Sequence, residues 1–246
     1  MTEKKYHEGE FYIDKQVHFD IQTKKPINGV IIRTFKGTEI IRSKWPYKNG
    51  KIHGKAYNYR KSKALLSESH FKMGQRHGLV TFYTQSGAIA VITSYYNNQF
   101  DGLQKFYFGD GSLRKEQKYS KGILLIEKEH FKAGSLKKQT KFKNSKLIEK
   151  MTYSKEGKRQ KSIFYNPDKS EIWVKDYSHT GEIDREYLYI DKIKKSEKHY
   201  DFFGKLTNEY TYQDDEGNGT RTYYTKSGEI KTSPIKRNKS AMYFKG

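Results

Sequence analysis

The sequence predicts an all-β protein, an elongated single-sheet solenoid of consecutive antiparallel β-hairpins with a period of about 24 residues. Three observations lead to this fold. One pattern of glycines and aromatic residues is written three times at a fixed spacing, and turn-forming residues divide each copy into two segments of strand length. Only 34% of the residues are hydrophobic, and 21 Tyr and 14 Phe supply much of that share. A single sheet with much of its surface in water needs fewer Leu, Ile and Val than a two-layer domain.

The three clearest copies of the pattern lie between residues 47 and 113. One glycine recurs at Gly54, Gly78 and Gly102, so that each position returns after 24 residues. A period of this length indicates an array of repeated supersecondary units. The other matching positions are Tyr47, Gly50, His53, Tyr59 and Leu65 in the first copy, Phe71, Gly74, His77, Tyr83 and Ile89 in the second, and Tyr95, Asn98, Asp101, Tyr107 and Leu113 in the third.

Two turn sites alternate within each copy. Gly and Asn tolerate the positive φ that tight hairpin turns require, and the space between two such sites holds one strand. One repeat is therefore expected to be one hairpin, and successive hairpins continue as a meander. The first set of turns is Asn49-Gly50, Met73-Gly74 and Asn97-Asn98, and the second set is Ser86-Gly87 and Asp110-Gly111.

The period continues to residue 230 in a reduced form, an aromatic residue followed by glycine and an apolar residue. This predicts three segments: N-terminal capping strands at 1–27, the repeat array at 28–230, and a C-terminal cap or basic tail at 231–246. Within the strands, the repeated glycines leave flat gaps on which a neighbouring ring can lie. The reduced copies are Tyr177, Gly181 and Ile183; Tyr200, Gly204 and Leu206; and Tyr224, Gly228 and Ile230.

The charge and the cysteine content narrow the function classes. The formal net charge is +21 and the pI is near 9.7, which favours acidic partners. The chain has no cysteine, so disulfides, thiolate metal sites and a cysteine nucleophile are excluded. The N-terminus lacks the apolar stretch of a signal peptide, and no run of residues is apolar enough for a membrane helix. We therefore expect a cytoplasmic protein.

Two segments resemble the MORN repeat: Tyr47-Lys-Asn-Gly50-Lys-Ile-His53-Gly54 and Phe71-Lys-Met-Gly74-Gln-Arg-His77-Gly78. The closest form is the bacterial variant with a Tyr-x-Asn-Gly-Lys-x-x-Gly core followed by Tyr-Tyr-x-x-x-Gly-x-Leu. The resemblance is strong at 47–113, fair at 212–230 and weak at 131–176. It implies consecutive β-hairpins in an extended, twisted sheet and a role as an interaction scaffold, which is antitoxin-like in some bacterial members. It supplies no catalytic residue.

The residues with catalytic or metal-binding chemistry do not form a recognisable site. His53, His77 and Asp101 share one repeat position, but residues one hairpin apart are separated by about 9.5 Å, which is too far to share one zinc ion. The carboxylates Asp214 and Asp215 precede Gly217 in a turn, where Asp is favoured for its side-chain hydrogen bonds. We therefore expect a protein that is not an enzyme and uses no metal or cofactor.

Residues 131–165 form the most basic stretch and are the predicted partner-binding segment. Eleven Lys or Arg residues stand there against two carboxylates, and alternation along strands would place many of them on one face. The competing interpretation is that lysines only keep the strands soluble and unpaired. The predicted binding residues are Lys132, Lys137, Lys138, Lys141, Lys143, Lys146, Lys150, Lys155, Lys158, Arg159 and Lys161, with the rings of Phe142 and Tyr153.

Several partner classes fit this surface. The leading hypothesis is an acidic partner protein docked on a basic, tyrosine-rich sheet, an interaction that would inhibit or neutralise the partner as an antitoxin does. The alternative is nucleic acid, or the nucleic-acid channel of an enzyme, because basic charge with stacking rings suits single strands. An anionic membrane surface is a second alternative, although no apolar anchor accompanies the charge. Open sheet edges would also permit a homodimer.

Overall fold

A computed structural model describes residues 4–225 and 227–245 of the chain. In this part of the chain the all-β class is confirmed, with 22 strands and one short 3-10 helix. Twenty strands belong to one large, mostly antiparallel sheet whose strands are linked by hairpins, and β2 and β3 form a separate two-stranded sheet. The chain divides into two compact units, Met1–Leu124 and Leu125–Gly246. No helix among the described residues is long and apolar enough to cross a membrane.

The N-terminal unit contains the first twelve strands. β1 pairs in parallel with β4, and from β4 onward each long strand pairs in antiparallel fashion with the next long strand. The strands are β1 (Lys5–Tyr6), β2 (Phe11–Asp14), β3 (Val17–Asp20), β4 (Gly29–Thr34), β5 (Ile41–Lys48), β6 (Lys51–Ile52), β7 (Gly54–Tyr59), β8 (Leu65–Lys72), β9 (Gln75–Tyr83), β10 (Ile89–Tyr96), β11 (Gln99–Tyr107) and β12 (Leu113–Ser120).

The C-terminal unit continues the hairpins from β13, which spans the boundary between the units. Each strand from β13 to β21 pairs with the strand that follows it. The elements are β13 (Ile123–His130), β14 (Leu136–Lys143), β15 (Lys146–Tyr153), β16 (Arg159–Asn166), β17 (Glu171–Tyr177), β18 (Ile183–Ile190), β19 (Ile193–Tyr200), β20 (Leu206–Tyr212), β21 (Asn218–Tyr224), β22 (Ile230–Lys236) and the 3-10 helix at Lys239–Ala241.

The first set of turns has two adjacent residues with positive φ. Asn49 and Gly50 have φ values of 50° and 70°, and Asn97 and Asn98 have 47° and 68°. Positive φ at both central residues is the geometry of a type I′ turn, whose twist matches that of the flanking strands. The predicted positive-φ turns are thus confirmed. The same geometry recurs at Asn144-Ser145, where the sequence pattern was weak.

The second set of turns ends in a single glycine with positive φ. The Gly87 N–H donates to the Thr84 carbonyl at 3.2 Å, and the Gly111 N–H donates to the Phe108 carbonyl at 3.0 Å. The corresponding turn recurs up to Gly228, whose N–H donates to Thr225 at 3.0 Å. Because the two turn types alternate regularly, the strands that follow the second turn start 23 or 24 residues apart, at Ile41, Leu65, Ile89, Leu113, Leu136, Arg159, Ile183, Leu206 and Ile230.

The repeated strand glycines stand opposite aromatic residues. The register pairs Gly54 with Phe71, Gly78 with Tyr95, and Gly102 with Tyr119. The space that a Cβ atom would take at these glycines is bordered by Pro46, His70 and Ser94 on the other neighbouring strand, so the rings do not cover it.

The N-terminal segment folds onto the turn at Gly50. The His18 N–H donates to the Gly50 carbonyl and the Gly50 N–H donates to the Ile27 carbonyl, both at 2.8 Å. A Cβ atom at Gly50 would lie 2.6 Å from the His18 carbonyl oxygen, so this approach requires glycine. The core of the unit forms beneath this segment, and its buried members are Tyr6, Ile27, Ile31, Tyr47 and Ile52.

The C-terminal segment folds back across its own sheet. Met242 is fully buried against Tyr210 and Tyr212. The ring of Phe244 lies 5.4 Å from the ring of Tyr189. Backbone hydrogen bonds hold the segment in place, because Lys194 donates to the Met242 carbonyl at 2.6 Å and Phe244 donates to the Lys192 carbonyl at 2.9 Å.

The turn geometry generates a test in which two glycines of one turn are compared. Gly109 and Gly111 both have open space where a Cβ would lie, but only Gly111 has a positive φ, of 86°. We expect Gly111→Ala to lower the free energy of unfolding by about 1–2 kcal/mol, because an L side chain is strained in the left-handed region. Gly109→Ala is the control and should leave it unchanged or slightly higher. Urea unfolding of both variants measures this, and equal effects would contradict the assignment of the strain to Gly111.

Candidate binding surface

The predicted basic residues lie on both faces of the sheet in the C-terminal unit. Lys138 and Lys161 both stand in register with Thr152 and therefore share one face with Lys150. Lys141 stands opposite Glu149 on the other face. The strands thus bring three of these cations to one side and direct the fourth away from them.

Several of these cations are already neutralised by carboxylates. Lys138 pairs with Glu129 at 2.6 Å, and Lys141 pairs with Glu149 at 2.6 Å. Lys161 pairs with Asp176 at 3.4 Å. The ammonium group of Lys137 lies 5.8 Å from the ring centroid of Phe131. Three of the eleven cations of this stretch are therefore balanced by carboxylates, and a fourth lies over a ring.

The remaining predicted residues lie at turns and strand ends. Lys132, Lys155 and Lys158 lie in turns at one end of the strands, where the Ser135 hydroxyl donates to the Lys155 carbonyl at 2.8 Å. Lys143 and Lys146 flank the turn at the opposite end, and an eight-residue strand separates the two ends by roughly 25 Å. The stretch does not converge on one surface. Arg159 stands opposite Tyr153, whose hydroxyl donates to the Met151 sulfur at 3.2 Å, and the partly buried Phe142 stands opposite Leu147.

The two faces of the N-terminal sheet differ sharply in charge. We call one of them the ring face. It is defined by two neighbouring rows of residues that run across strands β4–β12 on the same side of the sheet. The first row is Arg33, Ser43, Asn58, Ser67, Phe82, Val91, Phe106 and Lys115, and the second is Ala56, Ser69, Val80, Thr93, Gln104 and Gln117. The opposite, charged face carries the row Ile32, Lys44, Tyr57, Glu68, Thr81, Ile92, Lys105 and Glu116.

No carboxylate lies on the ring face in strands β4–β12, all of which are described. These strands contain three carboxylates. Glu68 and Glu116 belong to the charged face, and Asp101 has the opposite parity to Phe100, which pairs with Tyr95 on the ring face. On the charged face, Lys105 and Glu116 approach to 3.8 Å. The ring face is therefore uniformly positive or neutral, whereas its reverse is mixed.

Cations on the ring face lie over aromatic rings. The guanidinium of Arg76 lies 5.6 Å from the Tyr95 ring, which in turn lies 4.9 Å from the Phe100 ring. The guanidinium of Arg33 lies 5.2 Å from the Trp45 ring. Such contacts hold the cation in place without cancelling its charge.

A groove of about 550 Å³ opens on this side of the unit beside the N-terminal hairpin. Its lining includes the rings of Trp45, Tyr47 and Phe71 and the cations Lys51 and Arg76, and no carboxylate lines it. Such a lining offers aromatic area and positive charge to a partner, with no opposing charge to desolvate.

His18 lies at the wall of this groove and is held neutral. Burial lowers the pKa of His18, and the charge of Arg33 lowers it further. Burial also raises the pKa of Tyr47, whose hydroxyl lies 3.4 Å from His18 Nε2. The groove therefore keeps its ring system uncharged at neutral pH, and its positive charge comes from Arg and Lys.

The corresponding face of the C-terminal unit is filled by a buried polar network. The Glu197 carboxylate accepts hydrogen bonds from Lys194 Nζ at 3.1 Å and from the Tyr212 hydroxyl at 3.2 Å, and it lies 2.5 Å from His199 Nε2. Burial alone would raise the pKa of Glu197, but the hydrogen bond with His199 and the charge of Lys194 outweigh it, so the pKa lies below its usual value. This carboxylate is a structural centre beneath the C-terminal segment.

The two histidines that share a repeat position, His53 and His77, contact residues of the neighbouring turns. The Met73 N–H donates to His53 Nδ1 at 3.4 Å, and His77 Nδ1 lies 3.2 Å from the side-chain oxygen of Asn97. Each ring thus contacts a residue of the following turn. No group of three or more His, Asp or Glu residues with the arrangement of a metal site occurs within the described ranges.

One exposed apolar feature lies at a turn of the C-terminal unit. Phe202 and Phe203 are 62% and 89% exposed in the turn before β20, and their rings meet edge to face at 5.7 Å. No repeat position of the sequence pattern falls on these two residues, so the pattern gave no signal for this tip.

Sequence reasoning also missed the arginines of the N-terminal unit. Arg33 and Arg76 stand on or beside the ring face, yet neither lies in the lysine-rich stretch. The sequence does contain a signal for these arginines. The chain has only nine arginines, and four of them fall between residues 33 and 76.

The buried carboxylate generates a stability prediction. We expect Glu197→Gln to lower the free energy of unfolding by about 3 kcal/mol, because it leaves the buried Lys194 charge without a counterion. Glu209→Gln is the matched control, since it breaks the more exposed pair with Lys198 and should cost less than about 1 kcal/mol. With both variants made in a Trp45→Phe background, urea unfolding followed by Trp173 fluorescence reports on this unit. Similar losses in the two variants would show that the network is not a structural centre.

Comparison with known proteins does not assign the chain to a family. No family model and no curated protein sequence matches the chain. Among solved structures, it is similar to a porin-like protein from Bacteroides uniformis ATCC 8492, with 11% identity, 82% of this chain and 92% of that chain covered, and a TM-score of 0.23. It is also similar to the TcdB2-TccC3-TEV structure, with 12% identity, 89% and 14% covered, and a TM-score of 0.20. Similarities this weak contribute nothing to the assignment of a family or a function.

Proposed function

We propose that this chain is a non-enzymatic binding protein whose hairpin array is an elongated solenoid that docks an acidic partner protein on its ring face. The observation that carries the proposal is the absence of carboxylates from that face in β4–β12, while cations and the exposed ring of Phe82 remain on it. A partner docked there would be neutralised if the ring face covered the surface through which that partner acts.

The energetics favour this face over the lysine-rich stretch. A partner carboxylate that meets Arg76 replaces water around a cation that has no ion pair within the described residues. A carboxylate that meets Lys138 or Lys141 must compete with Glu129 or Glu149 at 2.6 Å. Exposed rings such as Phe82 add apolar area, and Tyr, Trp and Arg are the residues that most often dominate interface energy.

A MORN-type repeat remains part of the proposal. The hairpin spacing of 23 or 24 residues and the type I′ turns at Asn49-Gly50 and Met73-Gly74 support it. These features agree with the resemblance of the two segments that contain those turns.

Single-stranded nucleic acid is the second candidate, because the Arg76–Tyr95 and Arg33–Trp45 contacts would also suit phosphates beside stacked bases. The two candidates differ in their dependence on salt. Binding through six or more phosphates should weaken by orders of magnitude between about 50 and 200 mM salt, whereas an interface anchored by rings should respond less steeply.

The proposal predicts which variants lose the partner. Arg76→Glu with Phe82→Ser changes one cation and one exposed ring on the ring face. We expect this double variant to weaken binding by about tenfold or more, since it reverses the charge and removes an apolar contact. Lys55→Glu with Leu79→Ser is the matched control, with the same two kinds of change on the charged face, and should bind normally. A tagged pulldown from host lysate, with and without nuclease, measures both.

Three other outcomes of the pulldown would replace the proposal. Equal binding by the two double variants would exclude the ring face. Loss of binding only when Lys138, Lys141 and Lys143 are reversed together would move the site to the lysine-rich stretch. Capture of nucleic acid that disappears with nuclease and leaves no stoichiometric protein would make nucleic acid the partner.

A further inference from the structure

A second concavity of the N-terminal unit, of about 640 Å³, lies at the outer end of the hairpins formed by β4, β5, β7 and β8. Four of its lining residues are cationic, three are aromatic, and none is Asp or Glu. Its volume is in the range of sites that hold small ligands. The lining is Arg33, Phe35, Arg42, Ser43, Trp45, Asn58, Tyr59, Arg60, Lys61 and Leu66.

The four cations of this pocket have no counterion within residues 4–225 and 227–245. Elsewhere the chain pairs even partly exposed lysines, such as Lys175 with Glu186 at 2.6 Å. No ion pair forms at Arg33, Arg42, Arg60 or Lys61. Like charges gathered around one cavity repel each other, and an anion placed among them removes that repulsion.

Neutral groups hold two of these cations in place. Arg60 Nη2 donates to the Tyr83 carbonyl at 2.7 Å, while its buried Nε has no partner in the described part of the chain. The Arg33 guanidinium lies between the rings of Phe11 and Trp45, at 5.6 and 5.2 Å. Both side chains are thus ordered by contacts that leave their charge uncompensated, which lowers the entropic cost of binding an anion.

The indole of Trp45 is also fixed before any ligand binds. Trp45 Nε1 donates to the Asn58 side-chain oxygen at 3.1 Å, and Asn58 Nδ2 donates to the Ser67 hydroxyl at 3.1 Å. This chain of hydrogen bonds sets the orientation of the ring at the pocket wall, and Tyr59 and Phe35 line the same cavity. A planar group entering the pocket would therefore meet preorganised aromatic surface.

We propose that this pocket binds a small molecule that joins a planar ring to a multiply charged anionic group, for which a nucleoside diphosphate is the chemical model. The rings of Trp45, Tyr59 and Phe35 receive the planar part. Arg42, Arg60 and Lys61 receive the anionic part, since arginine matches the geometry of phosphate oxygens. The proposal does not depend on a protein partner at the ring face.

The chain offers its own reporter for this site. It contains two tryptophans, Trp45 in the pocket wall and Trp173 in the C-terminal unit, so Trp173→Phe leaves Trp45 as the only indole. In this background we expect ADP at low ionic strength to change Trp45 fluorescence in a saturable way. Adenosine and pyrophosphate, which each supply half of the chemistry, should bind roughly tenfold or more weakly.

Arg42 and Lys61 are exposed, so both can be replaced without disturbing the fold. Arg42→Gln with Lys61→Gln, in the Trp173→Phe background, should weaken ADP binding by about tenfold, because two charges of the pocket are lost. Lys48→Gln with Lys72→Gln is the matched control, since both side chains are exposed in the same unit and outside the pocket. Circular dichroism would show that both variants keep their strands.

The outcomes that overturn the proposal are distinct from failure of the partner test. Absence of a saturable response to millimolar ADP would exclude the site. Pyrophosphate binding as tightly as ADP would exclude the role of the rings, and equal losses in both double variants would indicate nonspecific attraction to a basic protein. The pocket shares Arg33, Ser43 and Asn58 with the ring face but contains neither Arg76 nor Phe82. Arg76→Glu with Phe82→Ser should therefore leave ADP binding intact, and loss in that variant would contradict the assignment of the ligand to the pocket.

Discussion

The alternation of two turns that require positive φ determines the rest of the structure. A type I′ turn such as Asn97-Asn98 reverses the chain at one end of a strand, and a turn ending in Gly111 reverses it at the other. Both turns return the chain with a regular register, so a residue written at one position of the sequence period lies on the same face in every hairpin. The composition of each face is thus set by position within the period.

One position of the period shows how the faces are used. In the N-terminal unit it is occupied by small or polar residues, Ser69, Thr93 and Gln117. In β16, β18 and β20 of the C-terminal unit it holds the large residues Ile163, Tyr187 and Tyr210. The difference follows the covering segment, because Met242 and Phe244 pack over the C-terminal position and require apolar partners. In β8, β10 and β12 the residues at this position are buried as well, but their side chains are small or polar.

Sequence reasoning recovered the hairpins because each depends on local signals. Glycine and asparagine mark positions that other residues adopt only with strain, so their spacing gives the strands almost directly. Even so, Lys63, with φ 69°, fills a turn position that is glycine in the other hairpins, which shows that the register of neighbouring strands can impose this conformation. The folded-back ends had no such signal, since the position of Met242 depends on contacts with residues about 30 positions earlier.

The candidate surface could not be found by counting lysines along the chain. Neighbouring positions of a strand point to opposite faces, and successive turns lie at opposite ends of the strands. A dense run such as 131–165 is therefore spread over two faces and two ends, as Lys138, Lys141 and Lys155 show. Register across strands, which no single segment contains, decides which charges meet.

The positions of the carboxylates say more about the surfaces of this protein than the positions of the more numerous lysines and arginines. With 49 Lys and Arg against 28 Asp and Glu, cations occur on almost every surface, and the local potential depends on where the carboxylates lie. In the N-terminal unit the strand carboxylates Glu68 and Glu116 lie on the charged face, where Glu116 approaches Lys105 to 3.8 Å. The ring face and the pocket beside Trp45 lack them, and there the cations are held by rings and carbonyl groups instead. Neutral support of this kind keeps a cation ordered and still available to an external anion, and this is the physical property that both proposed interactions require.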